Sequence, residues 1–376
     1  MKPRARDLNI QFGQLPAGPL NAITDVPGLR VGHANVRGRS AAGRDIHTGV
    51  TLIEPRAGSC GLQPCFAGVH VLNGNGDATG LEWIREAGLL TSPIAFTNTH
   101  SLGVVRDALI ALDRQQQSDT SRVYWNMPVV LETYDGLLND INGFHVKAEH
   151  VAEAQRAAQG GPVTEGAVGG GSGMICHEFK GGIGTASRRL PPEHGGWTVG
   201  AILQANHGVR RELRVDGYPV GRYLDGSDSP FARAALPNPG MGSIVVCLAT
   251  DAPLLPHQCT RLAQRASLGI ARTGGGTEDQ SGDIFLAFAT GNSNIPPAAY
   301  ERKGAPICEP LSMVNNDHIS HLFLAAAETV EEAIINALLA ADTTTGNGAT
   351  APALDAQRLL KALSLAGWPG GAQQHA

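Results

Sequence analysis

Aromatic residues are scarce: Phe, Trp and Tyr make up 5% of the 376 residues. Gly-rich loops rather than aromatic binding platforms are therefore expected around any site. Charge is not gathered into blocks, and the net charge of −5 argues against nucleic acid or an anionic membrane surface as the main partner. No apolar run approaches the ~18 residues of a transmembrane helix. The opening stretch MKPRARDLNIQFGQLPAG has basic residues but no apolar core after them, which excludes a signal peptide. There is no CxxC pair, and Cys60 and Cys65 have no matching His/Cys set for zinc. The six scattered cysteines fit free, mostly buried thiols in a reducing, cytoplasmic compartment. Repeats of fixed period, HExxH and nucleophile-elbow contexts are also missing. No metal or cofactor is expected.

What is present is glycine, 48 residues of it, and enough length to bury a large core. Short apolar, β-branched runs at Leu29 to Gly32, Val50 to Ile53, Gly68 to Leu72, Pro93 to Asn98, Val123 to Leu131, Trp197 to Ala205, Ile244 to Ala249 and IFLAFAT predict strands. Helical spacing predicts helices over Leu81 to Gly88, Thr99 to Gln117, Val146 to Gln159, Pro256 to Arg272, Asn315 to Asp342 and Leu354 to Leu365. The Gly-rich run at 160–188 reads as loops and a strand where backbones approach closely. The segment 73–80, NGNGDATG, lacks a P-loop lysine and reads as a tight turn beside a substrate. Val209 to Gly242, broken by Pro219, Pro230, Pro237 and Pro239, reads as a surface linker. Strands alternating with helices predict sheets covered by helices, a layered α/β sandwich.

One junction concentrates the chemistry. Gly242-Ser243 stands between the polar run and the strand Ile244 to Ala249. On spacing alone it is an ordinary loop-to-strand boundary. The sharper alternative is a self-cleaved bond that leaves Ser243 as a new N-terminus. Its α-amine, with an unperturbed pKa near ~8, then becomes a base beside its own hydroxyl. Other residues admit similar pairs of readings. Ser281-Gly282-Asp283 is either a turn closed by an Asp side chain or a supporting pair for Ser243. Glu132, in ETYD where a strand becomes a loop, is a solvated edge residue or the partner of a substrate ammonium. Asn206 caps a turn or donates to an oxyanion. His177 and His207, in Gly-rich stretches, read as ordinary loop histidines.

Taken together, ITDVPGLRVGH, GVTLI, NGNGDATG, TNTHSLGVVRDA, ETYDGLLNDING, GGGSGMICHEFKGGIGTASR, LQANHG, GSIVVCLATDAPLLPHQ, SGDIFLAF and NNDHISHLF resemble, in order, the L-aminopeptidase/D-esterase (DmpA) family, which includes the β-peptidyl aminopeptidases. The resemblance spans nearly the whole chain. It implies a single αββα sandwich over 1–376, like that of N-terminal-nucleophile hydrolases but with different strand connectivity. It implies cleavage at Gly242-Ser243 into an α chain 1–242 and a β chain 243–376. Ser243 matches the nucleophile, Ser281 and Asp283 the supporting pair, and some members carry Glu at the latter position. Asn206 matches the oxyanion-hole Asn, Tyr134 a position contributing to the same hole, and Glu132 the carboxylate that receives the substrate's free amine. Small peptides, amino-acid amides and esters are the implied substrates, and a homotetramer of αβ units the implied assembly.

Two other functions stay open from sequence. One is an amidase for unnatural oligoamides or β-peptides; related nylon-fragment amidases carry Thr where Ser243 stands. The other is an uncleaved homologue serving as a binding scaffold. Acyl transfer to an amine acceptor is a further outcome of the same acyl-enzyme.

Overall fold

The layers follow from period-two alternation. In the strand Ser243–Thr250, Ile244, Val246 and Leu248 pack into one buried cluster, and Val245, Cys247 and Ala249 into another. A strand apolar on both faces needs cover on both faces. A computed structural model, which describes residues 2–116, 124–231, 242–296 and 307–370, shows what supplies it.

The elements are β1 (Arg30–Arg39), β2 (Asp45–Glu54), β3 (Cys65–Gly74), α1 (Leu81–Ala87), β4 (Leu89–Leu90), β5 (Ile94–Asn98), α2 (Leu102–Gln116), β6 (Val129–Thr133) and α3 (Ala148–Arg156). There follow β7 (Ile175–Cys176), β8 (Phe179–Lys180), β9 (Gly182–Arg189), β10 (Thr198–Asn206), β11 (Ser243–Thr250), α4 (Pro256–Gln264), α5 (Ala266–Thr273) and β12 (Gly282–Ala289). The chain continues through α6 (Ser320–Ala340), the hairpin β13 (Thr344–Gly346) and β14 (Ala349–Ala351), and α7 (Ala356–Leu365).

One sheet has the order β1-β2-β5-β6 and the other β4-β3-β12-β11-β10-β9. Ile53, Phe96 and Leu131 of the smaller sheet meet Ile202, Val245 and Leu286 of the larger. Helices α2 and α3 cover the outer face of the smaller sheet through Val105, Leu109 and Val151. Helices α4, α5 and α6 cover the larger through Leu262, Ile270, Val330 and Ile334. The architecture is the expected αββα sandwich. The parallel pairs β5–β6 and β11–β12 each enclose helical segments, α2 in one and α4–α5 in the other.

Three expectations need correction. The helix from Pro256 to Arg272 is two helices that meet at Arg265. The bend lets Gly269 approach α6 so closely that a methyl group there would stand 2.6 Å from Val330 Cβ. The strand expected from Val123 starts only at Val129, after Pro128, which has no N–H for a ladder. The proposed surface linker is packed over its described part: Leu213, Val215 and Val220 are fully buried, and the Arg210 guanidinium lies 3.9 Å from the Phe179 ring centre. Their apolar side chains are too sparse in a polar run to announce a core contact made with distant strands. Pro237 and Pro239 lie outside the described residues.

Candidate active site

Strand register brings the key residues into one row. Asn206, the last residue of β10, pairs with Ser243, the first of β11, and Ser243 pairs with Gly282, the first of β12. Because β11 is apolar on both faces, it is the backbone pairing that sets this row; a slip by one residue would move the Ser243 side chain to the other face of the sheet.

Ser243 is buried, and its Oγ accepts the Gly282 N–H at 3.1 Å. The residue before it has no room for a side chain: a Cβ on Gly242 would stand 1.9 Å from the Asn206 carbonyl oxygen. Beside Gly282, the Ser281 hydroxyl donates to Asp283 Oδ1 at 2.6 Å. Burial pushes the Asp283 carboxyl up to about 6, against the pull of the hydrogen bonds from Ser281 and the Ile244 backbone. Its Oδ2 is buried without a partner.

Asn206 is held at both ends of its amide. Oδ1 accepts the Ile175 N–H at 2.7 Å, and Nδ2 donates to the Tyr134 carbonyl at 2.9 Å. The two contacts fix which end is oxygen, and they leave one Nδ2 hydrogen uncommitted. Tyr134 thus anchors Asn206 through its backbone. Its half-exposed ring lies over Gly136, where a Cβ would stand 2.3 Å from the Tyr134 hydroxyl.

Glu132 sits on β6, the edge of the smaller sheet, paired with Thr97. Its Oε1 accepts the Asp77 N–H at 2.8 Å, and its Oε2 accepts the Thr99 hydroxyl. Burial raises its pKa above the ordinary value, and the Thr99 and Asp77 bonds offset only part of that. A Cβ on Gly76 would stand 3.2 Å from Gly282 Cα and 3.3 Å from Glu132 Oε1. One bare glycine therefore separates this carboxylate from the strand that pairs with the serine.

That glycine belongs to the segment 73–80, which does more than turn the chain. Asn73 Nδ2 donates to the Asp279 carbonyl at 2.7 Å, and Asn75 Nδ2 to the Gln280 carbonyl at 2.8 Å. Farther on, the Thr79 N–H donates to the Val130 carbonyl at 3.0 Å. The segment ties the loop before β12 to the edge of β6 and so joins the two sheets at the site. Next to it opens a cavity of about 390 Å³ lined by Val71, Gly76, Trp83, Arg106, Met127 and Ile284, among others.

The sequence profile of peptidase family S58 matches residues 21–351. The chain belongs to peptidase family S58. Among its S58 relatives, the β-peptidyl aminopeptidase BapA of Sphingosinicella microcystinivorans is 47% identical over 361 residues, covering 93% of this chain and 88% of that protein. A solved β-aminopeptidase from Burkholderia sp. is 65% identical with a TM-score of 0.92, covering 97% of this chain and 99% of the other. The L-aminopeptidase D-Ala-esterase/amidase of Ochrobactrum anthropi is 42% identical with a TM-score of 0.88, again over 97% and 99% of the two chains. That protein is described as a prototype for the serine aminopeptidases and a new variant among the Ntn hydrolase fold. The family and fold inferred from the motifs agree with these findings, and this S58 chain is a peptidase of the aminopeptidase type.

Sequence reasoning missed several residues around the S58 site. Asn73, Asn75, Asp77 and Thr99 were legible only as turn and helix-start residues, because their partners are distant in the chain. His177 and His207 are not loop histidines in solvent. Both are buried, with ring centres 5.2 Å apart. The His that follows Asn206 at the end of an apolar strand was the one available signal.

Proposed function

We propose that this S58 peptidase cuts its own Gly242–Ser243 bond within the αββα domain, giving chains 1–242 and 243–376. The freed Ser243 then serves as the nucleophile of an aminopeptidase. The arrangement that carries this reading is the row Asn206, Ser243, Gly282, with the Ser281–Asp283 pair on one side and Glu132 across Gly76.

In maturation, Ser243 Oγ bonds to the Gly242 carbonyl carbon as the C–N bond breaks. The nitrogen takes the hydroxyl proton and becomes an amine, and water then hydrolyses the resulting ester. The process turns an amide that cannot accept a proton into the base the reaction needs. In turnover, the same Oγ attacks the first acyl carbon of the substrate while the α-amine takes its proton. The uncommitted Nδ2 hydrogen of Asn206 meets the oxyanion, with Tyr134 holding that amide in place. Ser281 and Asp283 orient the new amine and hydroxyl. The leaving amine takes the proton back, and water releases the acyl group.

Glu132 selects for a free N-terminal amine. Its carboxylate is buried, so a blocked substrate leaves it desolvated and unpaired, whereas an ammonium pairs it. The substrates are short peptides, amino-acid amides and esters. The names of the BapA and Burkholderia relatives favour a β-residue at the N-terminus as one accepted class. We further take the enzyme to be a homotetramer of αβ units. Five of its six cysteines are buried as free thiols, which suits the cytoplasm.

Mass spectrometry of the purified protein tests the reading first, with a fragment beginning at Ser243 as the expected result. A panel of p-nitroanilides bearing α-, β- and N-acetylated residues then ranks the substrates. A single intact chain without turnover on any of them would leave the uncut binding scaffold as the better account.

A further inference from the structure

Behind Asn206 lies a cluster that the proposed reaction does not use. Strands β7 and β8 are joined by His177 and Glu178, with φ of 46° and 61°. Two successive left-handed residues make a tight hairpin turn that normally takes Asn-Gly. Neither His nor Glu favours it, so the surroundings must hold the turn in place. The His177 N–H donates to the His207 carbonyl at 2.7 Å, and the Arg210 N–H donates to Glu178 Oε1 at 3.1 Å.

The turn aims His177 at Cys176 and His207. One ligand atom from each of the three residues lies within 4.8 Å of the other two, and all three residues are buried. Cys176 Sγ is 3.8 Å from His207 Nδ1. His177 Nδ1 is 3.1 Å from the Val209 carbonyl, which fixes its proton there and leaves Nε2 as a bare lone pair. The Nε2 atoms of both His177 and His207 are buried without a hydrogen-bond partner. Two orphaned imidazole nitrogens in one cluster call for an occupant, since burying a polar atom without a partner is costly.

We propose that Cys176, His177 and His207 bind one divalent transition-metal ion of the zinc class. The donor set, one thiolate and two neutral imidazoles, suits a borderline ion that accepts sulfur and nitrogen together. Around a tetrahedral zinc, ligand atoms stand roughly 3.3–3.7 Å apart, judged from the bond lengths of about 2.0–2.3 Å. The widest spacing of 4.8 Å therefore needs to contract by about 1.1–1.5 Å. On binding, the metal–sulfur bond replaces the Cys176 S–H bond, and that proton leaves to solvent. Three protein ligands leave the fourth position to water. Glu178 and Glu278 are close enough to act on the charge of His177, and they offset the single net positive charge of the loaded site. A glycine turn covers the His207 ring: a Cβ on Gly275 would stand 2.5 Å from its Cδ2.

The position gives the ion a consequence. Cys176 follows Ile175, whose N–H holds Asn206 Oδ1, and His207 follows Asn206 itself. A bound ion therefore ties together the two segments that position Asn206, without touching the reacting atoms.

The test uses the full chain, stripped with chelator and titrated with Co(II). We expect uptake of one equivalent, with tetrahedral d–d bands, a thiolate-to-cobalt charge-transfer band and one proton released. Zn(II) should displace the cobalt and raise Tm by roughly 3–5 °C at a hundredfold excess over its Kd. Cys176→Ala and His207→Gln should lose the band, while Cys308→Ser, at the exposed thiol, should keep it. The charge-transfer band of the unaltered protein reports thiolate ligation even where a cluster variant fails to fold. Absence of stoichiometric uptake, a band that survives Cys176→Ala, or one that vanishes in Cys308→Ser would overturn the proposal. Metal content is read independently of peptidase activity.

Discussion

Two buried polar clusters differ in how completely their hydrogen bonds are closed. On the helix side, Arg188 is fully buried and pairs with Glu328 at 3.1 Å and Glu332 at 2.7 Å. Its remaining donors reach the Phe12 and Ser187 carbonyls at 2.9 Å and 2.8 Å. Glu332 also accepts from Arg6 at 3.0 Å and Asn21 at 2.6 Å, and Glu328 accepts from the Gln14 N–H at 3.0 Å. No atom of Arg188, Glu328 or Glu332 is left unpaired. Around Ser243, by contrast, Asp283 Oδ2 and the Nε2 atoms of His177 and His207 have no partner. The first cluster binds the N-terminal segment and α6 to β9, and it is finished by folding. The second is left open by folding. The closed cluster is structural, and the open one adjoins the candidate site.

The comparison can be broken most sharply at the serine. Ser243→Ala should abolish chain cleavage and lower turnover by at least ~10⁴-fold, with little change in urea stability. A variant that still splits at that bond would remove Ser243 from both roles. Arg188→Met should do the reverse. It strips both buried carboxylates of their shared guanidinium, leaving Glu332 with Arg6 and Asn21 and Glu328 with backbone N–H donors, and should cost on the order of 3–5 kcal/mol in urea unfolding. Activity of the molecules still folded should hold near its original value per active site.

Smaller effects sharpen the contrast. Glu132→Gln should lower kcat/KM by roughly 10–100-fold on substrates with a free amine. An N-acetylated ester should be affected far less; equal loss on both would show that Glu132 does not read the amine. The smallest effect is a pH dependence. An Asp carboxyl ordinarily titrates near ~4, whereas that of Asp283 lies at about 6 in the fold. Folding therefore favours its protonated form. Its contribution is fully present below ~4 and is lost as pH rises to about 6. Asp283→Asn should gain Tm relative to the parent over that interval, by about a few °C, and hold the gain above it. Glu332 runs the other way: burial pushes it up, but Arg188 and Arg6 hold it below its ordinary value. Its contribution is present above that value and fades as pH falls, so a Glu332→Gln variant should lose its disadvantage in acid.

Much of this was legible before any coordinates. A layered α/β sandwich followed from alternating strands and helices and its αββα order from the family resemblance, and β11 carries its two apolar faces openly in IVVCLA. The motifs named the family, and of the residues they singled out, the strand ends bring Asn206, Ser243 and the Ser281–Asp283 pair together, with Glu132 across Gly76. The bend at Arg265 escaped notice because helical spacing runs through it unbroken. The packing of residues 209–224 escaped for the opposite reason, since its few apolar residues show no period. Asn73, Asn75 and Thr99 gave no sign of their part, because turn chemistry accounts for them locally.

The sequence by itself determined the elements, their buried faces and the family, since these rest on local periodicity and ordered motifs. Only the tertiary structure decided that the 73–80 segment bridges the sheets and that Gly242 must stay bare beside the Asn206 carbonyl. It alone decided, too, that Cys176, His177 and His207 form one cluster. Each of those facts depends on distances between residues far apart in the chain, and side-chain spacing along a strand or helix carries no record of them.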